Sequence, residues 1–246
     1  MRLHFSGGSK ALLMVGVLLV FAALTPATAG PVIVGTPADA GTANCFPFGC
    51  KYDTYTNGTY QQVYTQSLFT GPITITGLEF YNTQNNGGAT AMNTGTFTIS
   101  LSTTAADWNT LSTVAASNIG SNNTQVFSGS LAQPWVFGDT LSITFSTPFT
   151  YTPGANANLL LNVVATGIGD AAGDISFDTN GYNGGALNGN TIFGRNYGGT
   201  VDRGYGLVTG FDTGAGPTSA TPEPATFAFL SAGLAGLSLL RKRVRR

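Results

Sequence analysis

Histidine is almost absent: the 246 residues contain one, His4. Charged residues are nearly as scarce, at 9% of the chain, and there are only two cysteines, Cys45 and Cys50. Each shortage removes chemistry. Histidine-assisted nucleophilic catalysis needs an imidazole beside a Ser or Cys, and the body of the chain has none to offer. A zinc centre wants four nitrogen or sulfur donors, which two cysteines cannot supply. Bases are both few and badly spread. Of ten Lys and Arg, Arg2 and Lys10 lie near the start and Arg241, Lys242, Arg243, Arg245 and Arg246 at the other end, leaving Lys51, Arg195 and Arg203 between them. Residues 30–215 carry ten Asp and Glu against those three bases, a net charge near −7. Phosphate neutralisation needs clustered Lys and Arg, so neither nucleic acid nor an anionic membrane surface is expected as a partner of this region.

Long apolar runs occur twice. Near the start, Arg2 and Lys10 precede a fourteen-residue apolar stretch, residues 11–24, and Ala27-Thr28-Ala29 gives a small-x-small cleavage pattern. That order predicts a signal peptide over residues 1–29, with Ala27 and Ala29 at the cleavage site and a mature chain that starts at Gly30. The second run is residues 225–240, sixteen uncharged residues preceded by Pro222-Glu223-Pro224 and followed by a basic end, residues 241–246, in which five of six are Lys or Arg. Sixteen helical residues span roughly 24 Å against a hydrocarbon core of roughly 30 Å, so the flanks must help. Arg241 and Lys242 can snorkel to the headgroups, and the basic cluster holds its end in the cytoplasm, leaving everything before Pro222 outside. The plain reading is a single-pass anchor.

A short polar motif, an apolar helix and a basic cluster, in that order, resemble the PEP-CTERM sorting signal of Gram-negative bacteria. The resemblance implies that Pro222, Glu223 and Pro224 are the recognition motif and that Arg241, Lys242 and Arg243 belong to the basic end. It also implies that an exosortase processes the tail and that export machinery and this enzyme are partners. It covers residues 216–246, a linker and sorting tail. Systems of this kind accompany exopolysaccharide production, so the outer surface or extracellular matrix is the expected destination.

Between the two targeting segments, residues 30–215 read as one all-β domain. Phe97, Ile99 and Leu101 alternate with Thr98, Ser100 and Ser102, and Leu141, Ile143 and Phe145 alternate with Ser142, Thr144 and Ser146, as half-buried strands do. In residues 73–80 the apolar phase slips at Gly77, which predicts a β-bulge. Residues 159–164 are apolar in both phases and predict a central strand covered on both faces. Further strands are expected over residues 60–69, 125–130, 175–178, 192–197 and 205–211. The turn formers Asn85-Asn86-Gly87-Gly88, Pro153-Gly154 and Asn180-Gly181 punctuate them. The expected architecture is an antiparallel β-sandwich, jelly-roll-like. One short helix is a candidate, over residues 105–114, with Asp107 capping a turn that contains Trp108 and Leu111.

Four features carry whatever chemistry the domain has. Cys45 and Cys50 are separated by Phe-Pro-Phe-Gly, a spacing that predicts a local disulfide in an oxidising compartment. Asp170, Asp174, Asp178 and Asn180 form the densest run of hard oxygen ligands, a candidate calcium loop set against the plainer reading of solvated loop acids. No other cofactor is expected. Tyr60, Gln62 and Tyr64 share one strand face, where aromatics and an amide can stack on and hydrogen-bond sugar rings, or else pack a core. Glu79 is the strand acid that a carboxylate glycosidase would need, though no second acid is marked as its partner. Asn57-Gly58-Thr59 and Asn122-Asn123-Thr124 match glycosylation sequons by sequence and read as turns. The sequence points to a non-enzymatic, exported envelope or matrix protein, with a carbohydrate-binding module as the alternative and a glycosidase behind it. Extracellular polysaccharide is the partner these readings share, and the membrane is touched through residues 225–240 before processing.

Overall fold

Alternating apolar and polar residues become strands wherever one face can be buried. The structure, a computed structural model, describes residues 30–37, 42–50, 58–169, 173–181 and 191–214. Among them there is no α-helix, and every pairing between strands is antiparallel. One sheet has the order β1 (Val32–Val34), β13 (Thr209–Thr213), β4 (Ile73–Tyr81) and β7 (Thr140–Tyr151). A second has the order β11 (Thr200–Arg203), β10 (Phe193–Tyr197), β3 (Gly58–Tyr64), β8 (Asn158–Gly169), β5 (Thr94–Thr104) and β6 (Thr124–Gly129). A small third sheet has the order β12 (Gly206–Leu207), β9 (Phe177–Asn180) and β2 (Thr42–Asn44). The predicted signal peptide, sorting motif and membrane span lie outside the described residues. Among the described residues no helix is long and apolar enough to cross a membrane.

The two large sheets form a sandwich-like body around one apolar core. Leu78, Phe80, Leu141 and Ile143 from the first meet Phe97, Ile99, Leu159 and Leu161 from the second. Rings dominate the packing: Phe48 lies 4.9 Å from Phe80 and 5.5 Å from Phe97, and Trp135 edges onto Phe177 at 5.7 Å. A second group joins Phe69 to Tyr151 at 5.0 Å and Tyr64 to Phe211 at 4.9 Å. Such edge-to-face and tilted pairs add to the burial of large apolar area. The bulge predicted at Gly77 is present, as a register slip between Ile75 and Gly77 in the pairing with β7. Glycine leaves room there, since a Cβ would sit 2.5 Å from Asp212 Oδ2 and 3.0 Å from the Ile143 carbonyl and would push the Asp212 side chain aside.

The predicted central strand is β8, flanked by β3 and β5 and buried on both faces. Its outer face is covered by a loop rather than by another sheet. Leu160 and Val63 pack there against Leu111. Residues 105–114, expected as a helix, do not form one. Asp107 Oδ1 accepts bonds from Asn109 N at 2.8 Å, Thr110 N at 2.8 Å and Thr110 Oγ1 at 2.9 Å, closing a single turn. A short 3-10 turn follows at Ala115–Asn118. The chain is then held flat on the sheet by side-chain amides. Gln61 Nε2 donates to Ala115 O at 3.0 Å and to Asn162 Oδ1 at 2.9 Å, while Asn118 Nδ2 donates to Gln61 Oε1 at 2.8 Å and Asn196 Nδ2 to Ser112 O at 2.8 Å. Those bonds reward an irregular loop over a helix, which would keep its carbonyls for itself.

The segment 205–211, expected as one strand, breaks at Val208 into β12 and β13, which belong to different sheets. Likewise the strand expected over 60–69 ends at Tyr64, and a 3-10 turn at Gln66–Leu68 follows. The strand expected over 175–178 is displaced to Phe177–Asn180.

Asn118→Ala should lower the unfolding free energy by about 2–4 kcal/mol, because Gln61 Oε1 and the backbone of Ser112 lose buried partners. Urea unfolding of this variant beside the exposed Val114→Ala, expected within about 0.5 kcal/mol of the parent, measures it.

Candidate functional site

Tyr60, Gln62 and Tyr64 do share one face of β3, and that face looks inward: their relative exposures are 3%, 0% and 0%. Each polar atom has a partner. Gln62 Oε1 accepts from Tyr60 OH at 2.5 Å and from Leu207 N at 2.8 Å, and Gln62 Nε2 donates to Leu207 O at 2.8 Å. Tyr64 OH and Thr209 Oγ1 are 2.8 Å apart, and Thr209 Oγ1 donates in turn to Leu207 O at 3.0 Å. Burial pushes the Tyr60 hydroxyl far above the ordinary phenol range, with the charge of Arg195 pulling the other way. Tyr64 is raised in the same manner by burial and eased by its bond to Thr209. Both stay neutral at any physiological pH. These three residues are placed to cross-link β3 to β12 and β13, with no sugar-facing surface left on them.

Beside them lies a group that sequence reading passed over. Arg195 on β10, opposite Gln62 on β3, points into the same interior and is 1% exposed. Its Nε donates to Asp202 Oδ2 at 2.9 Å, and Nη2 lies 2.8 Å from the same oxygen. The guanidinium is sandwiched between two rings, 4.7 Å from the centroid of Tyr197 and 4.3 Å from that of Tyr205. Phe46 stacks on Tyr197 at 4.9 Å and 26°. Asn44 Nδ2 donates to Tyr205 OH at 3.4 Å, and Asn44 Oδ1 accepts from Phe46 N at 2.7 Å. The order Phe46, Tyr197, Arg195, Tyr205 is thus a continuous stack tied at its ends by one asparagine. Nη1 finds no hydrogen-bond acceptor among the described residues, and the contact of Nη2 is its ion pair with Asp202. The planar guanidinium suits the position, since it stacks on rings and is less strongly hydrated than an ammonium group.

The signal for this pair was present. Gly198 and Gly199, with φ of 54° and 87°, form a two-residue hairpin turn, and pairing outward from it sets Tyr197 opposite Thr200, Asn196 opposite Val201 and Arg195 opposite Asp202. One of only three bases in the domain was therefore fixed beside an acid by turn chemistry alone.

Asp170 lies outside the described residues. Asp178 is buried, and its carboxylate accepts from Thr83 N at 2.8 Å, Thr83 Oγ1 at 2.6 Å and Gln84 N at 3.1 Å, which ties the loop after β4 to β9. Asn180 Oδ1 accepts from Thr36 N at 2.6 Å instead. Asp174 is half-buried, and its carbonyl meets Ala89 N at 3.4 Å. Among the described residues no three His, Cys, Asp or Glu side chains stand close enough to hold a metal ion.

Glu79 sits on the outer face of β4, half-buried, and accepts from Tyr81 OH at 2.9 Å. Its register partner on β13 is Gly210, two residues from Asp212, which pairs with Gly77. The Asp212 carboxyl is held above its usual range by partial burial and then by the Glu79 charge. Tyr81 is also raised, first by burial and then by its bond to Glu79. Cys45 and Cys50 form a disulfide with a Cα–Cα distance of 4.7 Å.

No family model, curated protein or solved structure matches the chain.

Asp202→Ala should destabilise the domain by about 3–5 kcal/mol, since it strands a buried cation, and Arg195→Met combined with Asp202→Leu should recover a large part of that loss. Guanidinium unfolding of the three proteins gives the comparison. Asp212 adds a pH effect with a defined sign. A carboxyl whose folded pKa is raised opposes folding only when ionised, so its cost is absent below about pH 3.9 and develops as pH climbs through the raised value. Asp212→Asn should therefore lift Tm by about 1–3 °C at pH 7 and leave it unchanged at pH 3.

Proposed function

We propose that this chain is an exported cell-envelope or extracellular-matrix protein, carried outward by its N-terminal signal and presented through a PEP-CTERM-type tail. Its β domain serves as a displayed structural or adhesive body. The larger sheets are read as the layers of a jelly-roll-like sandwich. The observation that carries the displayed-body reading is the use made of the inward polar side chains. Gln62, Tyr64, Asp178 and Asn180 each hold one chain segment to another, and Tyr60 donates to Gln62 within β3. A domain that commits its buried donors and acceptors to cross-links is stiff. The Cys45–Cys50 disulfide agrees with life in an oxidising compartment. The acidic, amide-rich composition suits a hydrated polysaccharide surrounding. Export machinery and an exosortase are the partners in transit, and extracellular polysaccharide is the partner at the destination.

Intact-mass measurement of the protein recovered from cells and medium tests the reading. The expected species begins at Gly30 and lacks residues 241–246. A species that retains those six residues makes the tail a plain anchor and removes the sorting proposal, and one that retains residues 1–29 removes the export route.

A further inference from the structure

The four-stranded sheet has two unlike ends. Thr213, the last residue of β13, lies opposite Ile75 of β4, and its Oγ1 donates to Gly30 O at 3.4 Å, so the described chain begins and finishes at one end. The connection between β6 and β7 reaches the other, where Gly138 N donates to Asn82 O at 3.0 Å and Thr140 pairs with Tyr81. From Ile75 to Tyr81 the strand runs about 20 Å. At this far end Val136-Phe137-Gly138-Asp139 forms a tight turn. Asp139 N donates to Val136 O at 3.0 Å, the Asp139 carboxylate accepts from Val136 N at 2.8 Å, and Gly138 has the positive φ, 96°, of the third residue in a type II turn. The chain leading into the turn is locked as a ribbon: Trp135 N donates to Thr90 O at 2.9 Å, Met92 N donates to Gln133 O at 2.8 Å, and the Trp135 ring is buried against Phe177. On this fixed base Val136 is 67% and Phe137 45% exposed, and Phe137 is the one exposed aromatic ring among the described residues. A ring already held in place gives up little freedom on contact.

We propose that this turn is the contact edge for an uncharged extracellular polysaccharide, with the Phe137 ring stacked on the apolar face of a pyranose. It rests on the polysaccharide partner already inferred, and it supplies the exposed ring that buried Tyr60 and Tyr64 do not. Three observations select this occupant. Position comes first: the chain continues past Gly214 from the opposite end of the sheet, so a membrane that held the tail would lie away from Phe137. Area comes second. Two apolar side chains fall far short of the roughly 800 Å² per partner of a standard protein interface, whereas a sugar ring needs a single aromatic face. Charge comes third: Asp139 is exposed at the turn, and the two described bases, Arg195 and Arg203, lie on β10 and β11 in the other large sheet, which disfavours an acidic polymer. Exposed amides are at hand for sugar hydroxyls, Gln133 on the ribbon and Asn85 beside Asn82.

Affinity electrophoresis of the protein recovered from cells tests the site, in native gels cast with hydroxyethyl cellulose, laminarin, dextran or, as the acidic polymer, alginate. At least one of the three uncharged polymers should retard the parent. Phe137→Ala should bind about tenfold more weakly, Phe137→Trp should keep the retardation, and the exposed Val114→Ala should match the parent. Far-UV circular dichroism and Tm equal to the parent's establish that the variants differ only at the surface. Retardation unchanged in Phe137→Ala would overturn this site and leave the polysaccharide reading standing. A parent that no uncharged polymer retards removes the polysaccharide partner and the site with it. Retardation by alginate alone, lost in Phe137→Ala, overturns the uncharged chemistry. Sedimentation velocity without sugar supplies the last outcome: a dimer of the parent that Phe137→Ala abolishes assigns the turn to a second copy of the chain and overturns the proposal.

Discussion

The amide of Gln62 fixes the point at which the chain passes from the small sheet to the four-stranded one. It stands on the inner face of the six-stranded sheet and completes both backbone hydrogen bonds of Leu207, as a neighbouring strand would. Because Leu207 is satisfied from the side, the chain is free to stop pairing with β9, turn at Val208 and enter the four-stranded sheet as β13. The approach is so close that a Cβ on Gly206 would lie 2.7 Å from the Gln62 side chain. Two buried backbone groups depend on one side chain, and an orphaned group of this sort costs about 1–3 kcal/mol. The same contact orients Tyr60, whose hydroxyl donates to Gln62, and Thr209, which shares the Leu207 carbonyl.

Much of the architecture was legible because the alternation is clean where a strand has one wet face. Leu141, Ile143 and Phe145 are buried with Ser142, Thr144 and Ser146 exposed, as period two requires. The phase slip at Gly77 marked its bulge for the same reason. Reading failed where side-chain amides replaced backbone partners. Residues 105–114 carried a helical spacing, yet Gln61, Asn118 and Asn196 offered the loop better bonds than its own carbonyls did. Residues 205–211 looked like one strand, since nothing in their own pattern announces that Gln62, some 145 positions earlier, will interrupt them.

The candidate site was half legible. The shared face of Tyr60, Gln62 and Tyr64 follows from strand periodicity, but which side of the sheet is covered depends on β12 and β13, far away in sequence. The Arg195–Asp202 pair was the more accessible inference. Two glycines at a hairpin turn set its register, and Tyr197 and Tyr205 are near neighbours in the chain. The acids between 170 and 180 drew attention by density alone. Their roles diverge because each meets a different segment of chain along β9: Asp178 serves Thr83 and Asn180, at the strand's end, serves Thr36.

The row of neutral amides across the outer face of the six-stranded sheet bears on where such a domain can operate. Asn196, Gln61 and Asn162 are register neighbours on adjacent strands, and none of them gains or loses a proton between acid and alkali. Interactions of this type are not screened by salt and do not titrate. This face of the body is fastened by amides, so its cross-links answer to neither acidity nor salinity, unlike the Asp178 carboxylate bonds and the Arg195–Asp202 pair found elsewhere among the described residues.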